Sequence, residues 1–589
     1  MRTAAPSIVV SIVVAGALTG LADTLLTLAA SPDPGLLTYK LSYVFGPTLL
    51  AVVWAAPLGT VVAAAYRRRA RSARGAALGA AGAVQAVWAA SLILDNWRAG
   101  QSPFALVVFG GVLVIAAVAM ARLAVDTSTW FAACARATRR TLAAAAAVVL
   151  LGGALAGTPR GPSSFRGGGG PCAAGPTTTT RQSVLLVTVD ALRADVAREM
   201  RSYRRLAAAG VEFTQHVTTS PWTLPSVTSL LTGLAPDAHG AGASLSSRSL
   251  VMRAPMRADV PTVAGVLGSH GLLTHALVTN PYLTRRYGVD RGFCTFENVS
   301  MEGEAVRALG QTTLLRLARA FAGRWLPSDR APELRARAER WLDRHGDRPF
   351  FLWIHFLDPH APYGDRTGAS TSLVLDLMAF QRDGATGIPF RGVALARAGE
   401  YRPEPEERRR IRALYREDVD TVDRELDSFL DYLEARGLRE RTAVVLTADH
   451  GEEFWDHGGL EHGRTLFEEV VRIPLVVAAP GRQPETHDRF TTVLDLAPTL
   501  LALAGADPTS LPGMDVLNPG AEAVRVLPLG QTLFGEAWSG YRTAGWKYAR
   551  SESGEERLYD LARDPGERRN VAAVAAARTA AALETAGRR

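Results

Sequence analysis

The sequence predicts an α/β domain built on a doubly wound sheet, preceded by a five-helix transmembrane module and closed by a small C-terminal antiparallel subdomain. Three observations predict this. Five apolar stretches crowd the first 157 residues, whereas most of the charge lies beyond residue 180. Three apolar runs in the second part each end on Asp or His, with helical patterns between them. The region 541–570 then reads as a hairpin, Trp546-Lys547-Tyr548 returning through Ser551–Glu556 to Arg557-Leu558-Tyr559. At 589 residues the chain is too long for one ordinary domain, and its 48% hydrophobic content is concentrated rather than spread. That distribution excludes a purely soluble protein, a disordered chain and a disulfide-dense secreted scaffold.

The apolar stretches cover 8–30, 41–65, 76–94, 104–121 and 141–157. Each is near the ~20 residues that cross a bilayer core as a helix. Positive charges orient them. Tyr66-Arg67-Arg68-Arg69-Ala70-Arg71 and Arg74 follow the second stretch, and Arg122, Arg136, Arg139 and Arg140 precede the fifth. With Arg2 they place the N-terminus in the cytoplasm and everything after the fifth span outside it. The expectation is a multi-pass cell-membrane protein with membrane lipids as partners. Asp23 and Asp95 fall near span ends and read as interfacial. The net charge of +8 is almost wholly arginine, since lysine occurs only at Lys40 and Lys547. Part of it is this orientation signal, and no stripe of basic and aromatic residues points to nucleic acid.

A Gly- and Thr-rich stretch, 158–182, reads as a flexible linker to a catalytic domain over 183–515, with the C-terminal subdomain and a helical tail over 516–589. Of the three cysteines, Cys134 falls on the inner side and Cys172 and Cys294 outside. A pair and two independent thiols are both open for the last two.

In the outer domain, 184–189 is a continuous apolar run that delivers Asp190 to a strand end. Ser220-Pro221-Trp222-Thr223-Leu224-Pro225-Ser226 precedes an apolar helix over Val227–Leu231 and puts Thr223 at its N-terminus. There the hydroxyl either caps the helix or faces an anion held by the helix dipole and a metal. Residues 349–354 form another strand, leading into His355, Asp358 and His360; 403–436 is helical; 442–447 is a strand ending Ala448-Asp449-His450-Gly451. Sites in such sheets lie at the carboxyl ends of strands. Asp190, Asp449 and His450 offer hard oxygens and one imidazole, a set suited to Zn, Mn, Mg or Ca.

Residues 183–570 resemble the sulfatase branch of the alkaline phosphatase superfamily, which implies an alkaline-phosphatase-like sheet. The resemblance rests on motifs in order. They are Thr188-Val189-Asp190-Ala191-Leu192-Arg193-Ala194-Asp195; Thr223-Leu224-Pro225-Ser226 with Leu230-Leu231-Thr232-Gly233 and His239-Gly240; and Phe356-Leu357-Asp358-Pro359-His360-Ala361-Pro362-Tyr363. Asp449-His450-Gly451-Glu452-Glu453 follows with His457 and His462, then Ile473-Pro474-Leu475, then Leu558-Tyr559-Asp560-Leu561 with Asp564-Pro565-Gly566-Glu567. The resemblance implies that Asp190, Thr223, Asp449 and His450 hold one catalytic divalent metal. Thr223 is then the nucleophile, His360 and His462 assist catalysis, and His355, Asn280 and Arg193 contact substrate. A second metal, drawing on Asp358, His355, His360 and His462, is left open.

The chain departs from the family in three places. Thr223 occupies the Cys or Ser position that becomes formylglycine, with Val227 where the motif has Arg. Threonine does not undergo that conversion, so the usual sulfatase nucleophile cannot form. Ala191 stands where the family pairs a second Asp, and in 271–281 the family's sulfate-contacting Lys and His are replaced at their positions. Family members with a Thr nucleophile are phosphatases, phosphodiesterases and phosphotransferases. The expected activity is therefore metal-dependent hydrolysis of sulfate or phosphate esters, phosphorus favoured, on an anionic lipid or envelope-glycan substrate. The alternatives are a phosphotransferase acting on lipid headgroups or envelope glycans, and a non-enzymatic membrane sensor that binds anions. Glu452 and Glu453 are expected behind the ligands. His216, His239, His270 and His275 read as structural, and the arginine runs at 314–324 and 408–412 as solvated faces.

Overall fold

A computed structural model describes residues 165–166, 182–247, 250–280, 282–299, 331–361, 363, 404–519 and 525–573. The five apolar stretches, most of the 158–182 segment, the 314–324 arginine run and the tail from 574 lie outside them. Among the described residues no helix is long and apolar enough to cross a membrane.

In chain order the strands begin with β1 (Phe165–Arg166), β2 (Ser183–Val189), β3 (Val211–Val217) and a peripheral hairpin, β4 (Gly242–Ser247) and β5 (Leu250–Ala254). Then come β6 (Leu273–Val278), β7 (Thr295–Asn298), β8 (Phe350–Phe356), β9 (Thr442–Ala448) and a short hairpin, β10 (Glu453–Phe454) and β11 (Leu460–Glu461). They are followed by β12 (Arg472–Ile473), β13 (Leu475–Ala478) and β14 (Glu485–Thr492). One sheet runs β1-β7-β6-β8-β2-β9-β13-β3-β12, with β14 also on β3. Strands β7, β6, β8, β2 and β9 are mutually parallel, whereas β13 opposes both β9 and β3. The sheet is thus mixed, with a parallel centre and antiparallel strands towards both edges.

The longer helices are α1 (Arg201–Ala207), α2 (Thr223–Thr232), α3 (Val263–Ser269), α4 (Ala331–His345), α5 (Pro405–Ala435) and α6 (Leu496–Leu503). They cover both faces, which explains the unbroken apolar runs. On β2, Val184 and Leu186 enter a core shared with α2, α3 and α6. Leu185, Val187 and Val189 enter the opposite core with α1, α4 and α5. Successive strand side chains point to opposite faces, so a sheet covered twice needs apolar residues at every position. Each such Val or Leu contributes about 1.5–3 kcal/mol on burial. Helix α5 reads differently because it buries a single stripe: Ile411, Tyr415, Val419, Val422, Leu426, Phe429 and Leu433 recur at helical spacing.

Two features differ from the sequence expectation, and a third bears on a point it left open. Phe165–Arg166 falls inside the stretch read as linker, yet pairs antiparallel with β7. A short strand there satisfies backbone groups that the edge of β7 would otherwise leave open. Strand β8 continues through Phe356, so His355 is a strand residue opposite Thr188 of β2. Cys294, just before β7, is in a disulfide whose partner is not among the described residues.

The C-terminal sheet consists of β15 (Leu527–Leu529), β16 (Trp538–Arg542), β17 (Trp546–Ser551) and β18 (Glu556–Asp560), antiparallel throughout. A buried ion cluster joins it to the segment after β11. Glu468 accepts from Arg542 Nε at 3.1 Å and Lys547 Nζ at 3.0 Å, and Lys547 also donates to the Leu466 carbonyl at 2.7 Å. Burial opposes the Glu468 charge, but Lys547 and Arg542 outweigh it and bring its carboxyl down to about 2. Removing one partner of such a cluster strands a buried charge, a loss of about 3–5 kcal/mol.

Candidate active site

The carboxyl ends of β2 and β9 lie side by side because Val189 pairs with Ala448. Asp190 and Asp449, the next residue on each strand, are therefore neighbours and both are fully buried. The chain turns sharply after Asp190. Ala191 adopts φ 56, a left-handed conformation that strains a residue carrying Cβ. That turn aims the Ala191 N–H at Asp449 Oδ1, 3.2 Å away. After β9, Gly451 passes so close to the Glu469 carbonyl that a side chain would collide with it. The next N–H donates to that carbonyl, Glu452 to Glu469 at 3.0 Å, and the Gly451 N–H donates to Val470 O at 2.7 Å. Glycine permits the turn that presents His450 beside both carboxylates.

Helix α2 supplies Thr223. The N-cap position belongs to Trp222, which is extended and makes no side-chain cap. Thr223 is the first helical residue, and the capping role open to it in the sequence is not the one it takes. Its Oγ1 lies 3.4 Å from Asp190 Oδ2, 3.4 Å from His450 Nε2 and 3.2 Å from Asn280 Nδ2. The helix is locked in place from below, since Ser226 Oγ donates to the Asp449 carbonyl at 2.5 Å. At the far end Gly233 takes φ 71, where a Cβ would strike the Pro512 carbonyl.

Asn280 Nδ2 donates to Asp190 Oδ2 at 2.6 Å, and Asn280 Oδ1 accepts from the Tyr282 N–H at 2.8 Å, which orients the amide. His355 Nε2 is 3.2 Å from the same Asp190 oxygen, and its Nδ1 is 2.7 Å from Thr188 Oγ1. His450 Nε2 is 3.4 Å from Asp190 Oδ1 and 3.5 Å from Asp449 Oδ2. His462 packs on His450 with ring centroids 4.2 Å apart and on His360 at 4.8 Å. Its Nδ1 is 2.9 Å from Glu452 Oε1. Glu452 therefore stands behind His462, and Glu453 accepts from the Gly459 N–H at 2.6 Å.

Electrostatics separate the two aspartates. Burial opposes ionisation of Asp190, but His360, His355 and His450 outweigh it and hold the carboxyl below its usual range. Burial, then the charge of Asp190, pushes Asp449 up to about 7. Burial also drives His450 down to about 4. For His360 burial works against the charge, yet Asp190, Glu452 and Glu461 prevail and raise it. Two buried carboxylates this close cannot both ionise without a cation between them. Oδ1 of Asp190 and Oδ2 of Asp449 have no hydrogen-bond partner. One donor each from Asp190, His355 and Asp449 lies within 4.8 Å of the others. Two carboxylates with one or two imidazoles and a hydroxyl fit a divalent cation such as Zn or Mn, and the oxygens alone suit Mg or Ca. His355, expected as a substrate contact or as a ligand of a second metal, stands among these donors.

The other residues sort clearly. Arg193 does not reach the cluster. Its guanidinium donates to Asp195 at 2.9 Å, to Asp456 at 3.0 Å and to the Glu452 carbonyl at 2.9 Å, so it braces the loop behind the site. Asp358 Oδ1 accepts the Ala331 N–H at 3.2 Å at the start of α4. His239 Nδ1 accepts the Ala241 N–H at 3.0 Å, away from the cluster. The 408–412 run is not simply a solvated face. Arg409 and Arg410 are exposed, but Arg412 donates to Phe454 O at 2.6 Å and Arg408 stacks over Trp455. The sequence reading missed Thr188, which supports His355. The available signal was a lone polar residue inside an apolar strand.

Residues 182–506 match the model of the sulfatase family. The choline-sulfatase of Rhizobium meliloti is 26% identical over 250 residues, covering 39% of this chain and 48% of that protein. The chain thus spans about half the length of that relative. A protein solved in complex with its substrate, D-glucosamine-2-N,6-O-disulfate, superposes with a TM-score of 0.52 at 17% identity, over 69% of this chain and 96% of the other. The phosphonate monoester hydrolase of Agrobacterium radiobacter gives 0.50 at 21% identity, over 67% and 92%. These structures share the fold.

Proposed function

Since the chain belongs to the sulfatase family, we propose that it is a membrane-anchored, metal-dependent ester hydrolase with Thr223 as nucleophile and phosphorus esters favoured over sulfate esters. One observation carries this reading: the Thr223 hydroxyl, uncommitted to helix capping, lies 3.4 Å from both Asp190 Oδ2 and His450 Nε2. Asp190, Asp449, His450 and His355 would hold the metal, with Thr223 beside them. A divalent ion bound there supplies charge that favours the deprotonated hydroxyl and screens the anionic ester oxygens. Asn280 orients the Thr223 oxygen and the Asp190 carboxylate. Thr223 Oγ1 gives its proton to solvent water and bonds to phosphorus while the ester P–O bond breaks. His360 or His462 protonates the departing oxygen. Water then attacks the phosphorus and releases Thr223.

Support for an extracytoplasmic site comes from the arginine distribution and from Cys294, since a structural disulfide persists in oxidising compartments. Threonine in place of a formylglycine precursor supports phosphorus. The phosphonate monoester hydrolase of the same fold is compatible with that preference. An anionic lipid headgroup or envelope glycan suits an enzyme tethered to a bilayer.

The test is a panel of phosphomonoester, phosphodiester, phosphonate and sulfate ester substrates on metal-loaded protein, with mass spectrometry of the Thr223 peptide. A phosphoryl adduct on Thr223, and loss of turnover by at least about 10³-fold in Thr223→Ala, are expected. Full turnover by Thr223→Ala would sink the mechanism. An adduct formed only from sulfate esters would reverse the substrate preference.

A further inference from the structure

The hairpin that carries His462 also walls a second cleft, of about 400 Å³. Four cationic side chains line it, Arg408, Arg464, Arg557 and His457, together with Trp455 and Phe467. The aromatic rings hold the cations in place. Arg408 lies 5.6 Å over Trp455, and Arg557 lies 5.1 Å over Phe467 and 4.0 Å over Trp538. His457 stacks on Phe467 with centroids 3.7 Å apart. Stacking occupies the face of a guanidinium and leaves its N–H edge for an anion, so these groups lose little freedom on binding.

Donors exceed acceptors here. Among the described residues Arg464 makes no hydrogen bond or ion pair. Half-buried, it is held below the usual arginine range by desolvation, and Glu453 and Arg557 act on it only at longer reach. Arg557 commits its Nε to Glu555 at 2.8 Å. His457 pairs with Glu469 at 2.7 Å. The acid on the cleft wall, Glu453, is tied to the Gly459 N–H at 2.6 Å, and burial and Glu469 push its carboxyl above the usual range. Trp455 is 7% exposed, adopts φ 59 and buries an indole N–H that has no acceptor. One lining thus combines a strained backbone at Trp455 with a guanidinium, Arg464, that has no carboxylate of its own among the described residues, features found at binding surfaces.

We propose that this cleft binds a sulfate, phosphate or carboxylate group at a site separate from the Asp190–Asp449 cluster. The proposal stands whether or not Thr223 is the nucleophile. Such a group arrives either as a free inorganic anion or as a further charge on a sugar-like ligand. Both are bound through the same guanidinium edges, those of Arg464 and Arg557.

Calorimetric titration of the detergent-solubilised full chain, treated with chelator and held at constant ionic strength, tests this with inorganic sulfate and with glucose 6-sulfate. Binding of at least one is expected, unchanged in Thr223→Ala and weakened at least tenfold in Arg464→Gln. Arg557→Gln and Arg408→Gln give second and third readings should Arg464→Gln fail to melt like wild type. Tighter binding of glucose 6-sulfate assigns the cleft to a substituent of a larger ligand, and equal binding assigns it to a free anion. Absence of binding by wild type, or equal affinity in all three arginine variants, overturns the proposal.

Discussion

Acid should destabilise the α/β domain through two histidines outside the Asp190–Asp449 cluster. His216 on β3 and His275 on β6 are both fully buried. Each satisfies only one ring nitrogen. His216 Nδ1 is 3.0 Å from Thr491 Oγ1 and His275 Nδ1 is 2.6 Å from Thr295 Oγ1, while neither Nε2 has a partner. His275 is further packed against Trp341 with centroids 4.8 Å apart. Burial therefore drives each down to about 3, helped by Arg525 at His216 and by His345 at His275. The unfolded chain restores an ordinary histidine near ~6.5. Below that pH the unfolded state takes up protons that the folded state refuses. Stability is complete above it and declines as pH falls towards 3. At pH 5 each histidine removes about 2 kcal/mol, so the pair removes about 4 kcal/mol relative to pH 7.5. Urea unfolding at pH 7.5 and 5.0 would be compared between wild type and the double variant His216→Gln, His275→Gln, which keeps a polar atom near each threonine. Asp449 and Glu567, both pushed up to about 7, act in the opposite direction but are common to both proteins and cancel in the difference. The variant should lose about 4 kcal/mol less than wild type over this interval. Equal losses would refute the reasoning.

Two further outcomes concern the site. Asn280→Ala removes the N–H that binds Asp190 Oδ2 and Thr223 Oγ1. A hydrogen bond to a charged group is worth about 1.5–3 kcal/mol, so kcat/KM should fall about 10- to 150-fold with the fold intact by circular dichroism. Asn280→Asp should be worse, because it sets a third buried carboxylate beside Asp190. Saturating Mn or Zn should raise the melting temperature of wild type, about 2.7 kcal/mol of stabilisation at a hundredfold excess over Kd. Asp190→Asn with Asp449→Asn should abolish that rise, and an undiminished rise would place the metal elsewhere.

Much of the chemistry was legible along the chain because the parallel strands deliver it in order. Asp190 follows an apolar run that β2 occupies over Ser183–Val189, and Asp449 follows one that β9 occupies over Thr442–Ala448. Thr223 was legible as a helix start, and α5 and the C-terminal hairpin as patterns of period 3.6 and 2. The mixed character of the sheet was not, since a four-residue apolar strand such as Leu475–Ala478 reads alike in either direction. Arg193 illustrates the limit for side chains. Its position after the first strand suggested an anion contact, but Asp456, which engages it, is 263 residues away.

By itself the sequence determined which residues sit at strand ends and helix starts, because local periodicity and the pleat decide those positions. Only the tertiary structure decided which of them meet. Strand pairing put Asp190 beside Asp449 and His355 opposite Thr188. The packing of α2 against these strand ends turned the Thr223 hydroxyl away from capping and towards Asp190 and His450. The folding back of 453–467 placed Arg464 and Trp455 in a cleft with Arg408 and Arg557, each distant in sequence. Contacts of that range depend on register and close packing, which no window of neighbouring residues encodes.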